Sequence, residues 1–156
     1  MNKFQVSYNK TLKLQNVIII EGLFDDEKIF SKNVLMMENY IKTKGGMPVG
    51  PLIQYMRPRL TEGGEINLEI KLLRQSTTFI KNVEKSYSME SIIRIPNCLY
   101  LRYHGSEEKL QFAYQKLNLI AFEEDIELKG DSYTVFVNTQ DGIITADIFM
   151  ERADNE

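Results

Sequence analysis

A chain of 156 residues, 43% hydrophobic and 26% charged, is the size of one domain and can hide roughly two-thirds of the surface its unfolded form exposes. Its net charge of -3 lacks the basic face that displaces counterions from a phosphate backbone, which speaks against direct contact with nucleic acid. The longest strongly apolar run, Val17-Ile18-Ile19-Ile20, is far too short to span a bilayer, and Met1 to Ser7 lacks the apolar segment of a secretory signal, so a cytoplasmic protein with no membrane partner is expected.

Leu14 to Glu21 reads as a buried strand ended by Gly22. Asp25 or Asp26 then caps a helix over roughly 27 to 43, in which Ile29, Phe30, Val34, Met37 and Ile41 recur at helical spacing. Lys42 and Lys44 suit its C-terminal end, and Gly45-Gly46 stop it. Leu52 to Met56 is a strand, Gly63-Gly64 a turn, and Glu65 to Leu73 an alternating strand. Residues 74 to 90 are polar, lack a sustained period and read as a linker. Cys98 to Tyr103 is again a strand, ended by Gly105; its lone cysteine cannot form an internal disulfide and is expected as a buried, inert thiol. Ser106 reads as the cap of a helix with Glu107 and Glu108 in its first turn and a core stripe of Leu110, Ala113, Tyr114, Leu117 and Ala121. Tyr133 to Val137 and Ile143 to Met150 are strands joined by an Asp141-Gly142 hairpin turn.

The order repeats. Gly64 to Leu72 lies on Gly142 to Met150 without a gap, so Glu69 and Asp147 both fall five residues after the turn glycine. Strand alternation puts Ile66, Leu68, Ile70 and Leu72 on one face, matched by Ile144, Ala146, Ile148 and Met150, with Glu69 and Asp147 on the opposite face. The expected architecture is α+β: one domain over 1–156 made of duplicated β-α-β-β units (about 14–73 and 91–150, with the linker over 74–90). The two units are related by a pseudo-twofold axis, in an antiparallel-rich sheet with two long helices on one side.

A family resemblance rests on Gly50-Pro51 through Tyr55, Ile95-Pro96, Leu101-Arg102-Tyr103-His104-Gly105, Lys109-Leu110 with Ala113 to Leu117, Gly130-Asp131-Ser132-Tyr133 and Thr145-Ala146-Asp147-Ile148. In their order and spacing these resemble the gyrase-inhibitor-like (GyrI-like) effector-binding domain, the ligand-sensing half of multidrug-responsive regulators, here expected as a stand-alone member without a DNA-binding half. The resemblance covers about residues 14 to 150. It implies a cleft between the units that takes large, flat, often cationic molecules among aromatic side chains beside a carboxylate. The family's last-strand acid maps onto Asp147; the family more often has glutamate there and closes the strand with Ile-Pro-Val, where this chain has Phe149-Met150-Glu151.

Eight tyrosines, eight phenylalanines and seven methionines supply soft surface that can repack around different ligands. Tyr55, Tyr100, Tyr133 and Phe149 lie on strands expected to line the cleft, and Tyr114 on the second helix. Glu69 sits among Glu65, Asn67 and Lys71, a setting that also suits a simply solvated carboxylate. Asp147 has Ile143, Thr145 and Phe149 as same-face neighbours, and a carboxylate on a mostly apolar face is costly unless partnered. A cationic ligand is one such partner.

Catalytic chemistry finds less support. His104 and Ser106 have no Gly-x-Ser-x-Gly setting and no orienting third group, so they read as a strand-end histidine and a helix cap. One histidine and one cysteine do not make a metal site, the acidic runs Asp25-Asp26-Glu27 and Glu123-Glu124-Asp125 lack the glycine of a calcium loop, and no cofactor is implied. The expected function is a binding protein or sensor for hydrophobic, flat, amphipathic or cationic small molecules, acting by buffering the ligand or by engaging another protein. The alternative is a hydrolase of reactive electrophilic small molecules that uses the same cleft, with Asp147 activating water beside Glu69 or Tyr133.

Overall fold

The computed structural model describes residues 5–22 and 26–153. In chain order the elements are β1 (Gln5–Glu21), α1 (Glu27–Thr43), β2 (Pro48–Leu60), β3 (Ile66–Ser76), β4 (Tyr87–Ser106), a 3-10 turn (Glu107–Lys109), α2 (Gln111–Glu123), β5 (Ser132–Gln140) and β6 (Ile143–Glu151). The protein is α+β with antiparallel strand pairing. It divides into two compact units: a first of Lys13–Ile93, and a second built from the residues ahead of Lys13 together with those from Arg94 on. No helix among the described residues is long and apolar enough to cross a membrane.

In the first unit β3 pairs with β1 on one side and β2 on the other. Asp26 caps α1 by accepting from the Lys28 backbone amide at 2.7 Å, satisfying one of the amides a helix start leaves without a partner; Asp25, the other candidate cap, lies outside the described residues. The helix buries Met37 and Ile41 against Ile18, Leu72 and Ile80, with Phe30 and Val34 at the margin, whereas Ile29 is exposed. Ile80, Val83, Tyr87 and Met89, all within the stretch read as a linker, pack on this cluster, and the Tyr87 ring stacks on Tyr40 with centroids 4.5 Å apart. After the helix the chain must pass close to β3: a side chain at Gly46 would come within 2.6 Å of the Ser76 hydroxyl.

The second unit repeats the same order. β6 lies between β4 and β5, as β3 lies between β1 and β2. Asp141 and Gly142 both take positive φ (54° and 76°), the geometry of the tight hairpin turn that their pairing in sequence predicts. Ala113, Leu117, Ile120 and Ala121 of α2 pack on Ile144, Ala146, Ile148 and Met150 of β6 and on Leu99, Leu101 and Tyr103 of β4, so the stripe expected for this helix and the inward face expected for this strand meet. Cys98 is fully buried, and burial pushes its thiol up to about 12, as expected of an inert cysteine.

Two expectations fail. Ser106 precedes a single 3-10 turn and its side chain caps nothing; its carbonyl instead accepts from the Tyr103 hydroxyl, and α2 begins only at Gln111. The matched inward faces are also unequal. Ile66 and Leu68 are 70% and 47% exposed, whereas their counterparts Ile144 and Ala146 are buried. The cause is reach: α1 covers the Leu72 end of its hairpin, leaving the turn end of β2 and β3 uncovered among the described residues.

Candidate functional site

Because β6 turns Ile144, Ala146, Ile148 and Met150 toward α2, its other face carries Ile143, Thr145, Asp147 and Phe149. Register then decides their company. Tyr100 of β4 and Tyr133 of β5 both pair with Phe149, and Arg102 and Val135 both pair with Asp147. One step further, His104 pairs with Thr145, and its Nδ1 lies 2.8 Å from the Thr145 hydroxyl oxygen.

The sheet therefore gathers four of the candidate residues, Tyr100, Tyr133, Asp147 and Phe149, on one face of the second unit. The Tyr100 and Phe149 rings lie 5.0 Å apart at 50°, a tilted aromatic pair, and the Lys10 ammonium sits 5.3 Å from the Tyr100 ring centroid. Asp147 is held from two sides. The Tyr100 hydroxyl donates to Oδ1 at 2.7 Å, while Arg102 donates through Nε to Oδ1 at 2.7 Å and through Nη2 to Oδ2 at 2.9 Å, a bidentate fork. Burial raises the Asp147 pKa, but hydrogen bonds from Arg102 and Tyr100 outweigh it and hold the carboxyl below its ordinary 3.8. Burial, then the neighbouring carboxylate, pushes the Tyr100 phenol up to about 12, so it stays a donor at neutral pH.

The first unit carries a counterpart. Glu69 accepts from Arg59 Nε at 2.7 Å and lies 3.7 Å from the Lys71 ammonium, which is 5.3 Å from the Tyr55 ring centroid. The Arg59 hydrogen bond is the main reason the Glu69 carboxyl lies below the usual range. Beside Glu69 a hollow of about 440 Å³ is lined by Glu21, Arg59, Leu60, Thr61, Asn67 and Leu68. Tyr55 and Glu69 thus belong together in one unit, as Tyr100 and Asp147 do in the other. Tyr114 stands apart: it packs on the α2 side of its sheet, where its hydroxyl bonds that of Thr134.

Of the partners of the two carboxylates, strand alternation in the sequence already put Lys71 on the face of Glu69. Arg102 and Arg59 become neighbours of Asp147 and Glu69 only through strand register, from β4 and β2. Chemically, the second-unit face offers the half-buried rings of Tyr100 and Tyr133 with a buried Phe149, a fixed carboxylate and two cations. A general base works best with a pKa near the operating pH, and both carboxylates are displaced the other way. Among the described residues no group of three or more His, Cys, Asp and Glu could hold a metal ion.

No protein-family model matches the chain, and no curated protein sequence does. The fold, however, recurs in solved structures. The EcmrR C-terminal domain superposes with a TM-score of 0.70 at 16% identity, over 96% of this chain and 97% of that domain. EcmrR in its DNA complex gives 0.72 at 16% identity, again over 96% of this chain but 57% of that one, so this chain spans little more than half of it. A hydrolase from Listeria innocua gives 0.59 at 8% identity, over 93% of this chain and 91% of the other. At these identities the likeness is one of fold: the chain has the architecture of the EcmrR C-terminal domain.

Proposed function

We propose that the chain is a GyrI-like effector-binding domain: a cytoplasmic sensor or sequestering protein for bulky, flat, amphipathic or cationic small molecules. The observation that carries this reading is the grouping of Tyr100, Tyr133 and Phe149 beside the bonded carboxylate of Asp147 on one sheet face. Three aromatic side chains next to one oriented acid suit a planar ligand that stacks and, where it carries positive charge, meets a carboxylate little screened by water. Tyr55 and Glu69 form a second, similar set whose ligand would share this chemistry. The low-lying carboxylates weigh against the hydrolytic alternative. Action on a cellular process would pass through a partner protein or through lowering the free ligand concentration.

A thermal-shift panel tests the reading. Flat aromatic cations and flat neutral dyes should stabilise the protein by RT ln(1 + [L]/Kd), about 2.7 kcal/mol at a hundredfold excess over Kd. For a chain of this size that is a rise in Tm of roughly 5–10 °C. Compact ammonium ions of equal charge should give almost none. Equal shifts from compact and flat cations, or no shift from any flat compound, would contradict it.

A further inference from the structure

The carboxylate of the candidate site already has a cation. Arg102 grips Asp147 through two hydrogen bonds, and Lys10 lies against the ring of Tyr100, so both features a cationic aromatic ligand would use are engaged by the chain's own charges. The same device recurs on the first unit, where Arg59 holds Glu69 and Lys71 lies against Tyr55. The pair in the second unit is lopsided: the Arg102 side chain is 45% exposed and that of Asp147 15%. Arg102 can therefore turn its guanidinium out to water at little cost, whereas Asp147 cannot leave and keeps the Tyr100 hydroxyl as donor.

We infer that Arg102 is the specificity-determining residue of this face, an internal counter-ion that a ligand cation must displace to reach Asp147. The inference rests on the face being a ligand site. With Arg102 in place the pair is neutral, and Lys10 leaves the local balance positive, so a cation gains from Asp147 only by exchange. Neutral flat molecules need no such exchange. The arrangement raises the threshold for cations and so narrows what an aromatic surface alone would accept.

The experiment uses N-methylacridinium and neutral acridine, two probes of one ring shape, titrated by fluorescence at mildly alkaline pH into the full chain and its variants. The reading is the ratio of cation affinity to neutral affinity. Arg102→Gln should raise that ratio about tenfold, which is about 1.4 kcal/mol. Arg102→Lys, which keeps the charge but cannot form the fork, should raise it about threefold and guards against a variant that fails to fold. Adding Asp147→Asn to Arg102→Gln should abolish the rise. An unchanged or lowered ratio in both Arg102 variants, with both dyes bound, overturns the inference and leaves the binding reading standing. Absence of binding of either dye to the parent and all variants overturns both.

Discussion

Ile144→Ala is expected to destabilise the protein by about 2–4 kcal/mol, and Ile66→Ala by less than about 0.5 kcal/mol. The two isoleucines occupy the same position of two hairpins that align without a gap, each two residues after the turn glycine. Local sequence therefore predicts equal effects. Packing does not: Ile144 is 1% exposed and buried with Leu117, Tyr103 and Ile148, whereas Ile66 is 70% exposed at the uncovered end of its hairpin. Truncating the first removes apolar surface from a filled core and leaves a cavity; truncating the second removes atoms already in water. Denaturant titration with unchanged m-values checks both variants. A loss above about 1.5 kcal/mol for Ile66→Ala would mean that something covers that end of the hairpin.

Asp147→Asn keeps the shape of the side chain and removes its charge. In the variant Arg102 and Lys10 remain without the acid that balances them, so a flat cation should lose about 1–2 kcal/mol of binding free energy relative to a neutral molecule of the same shape. The pH dependence has a definite sign. The folded-state pKa of Asp147 lies below its ordinary 3.8, so the carboxylate and its contribution to folding are fully present above that value and are lost as the pH falls through the lower folded value. The parent's ratio of cation affinity to neutral affinity should accordingly hold across neutral and mildly acidic pH, because Asp147 stays ionised there. Equal losses for cation and neutral probe would make Asp147 a structural residue, and no loss for either would move the site elsewhere.

How much of this was legible in the sequence differs from element to element. α1 was legible because its periodic stripe lies between a capping aspartate, Asp25 or Asp26, and a Gly-Gly stop, signals that all lie within the helix and its flanks. β1 and β4 extend well beyond their apolar stretches, to Gln5 and Tyr87, and sequence missed those ends because Tyr8-Asn9-Lys10 and Ser88-Met89-Glu90 show no clean alternation. Ser106 illustrates a local signal overruled: an acceptable cap residue before two glutamates, with the backbone taking a 3-10 turn first. For the site, alternation was enough to put Asp147 and Phe149 on one face, and the cost of a lone acid there correctly demanded a partner. The partner itself, Arg102, lies 45 residues away and becomes a neighbour only through the β4–β6 register.

The central claim is that small molecules bind on the Asp147 face of the second unit, and mapping by NMR tests it most directly. Titrating flat neutral acridine into isotope-labelled protein should give saturable shift changes concentrated at Tyr100, Arg102, Tyr133, Asp147 and Phe149, with the Tyr114 ring, on the α2 side of the sheet, little affected. Saturable changes confined to other residues, with those five unmoved, would contradict the account.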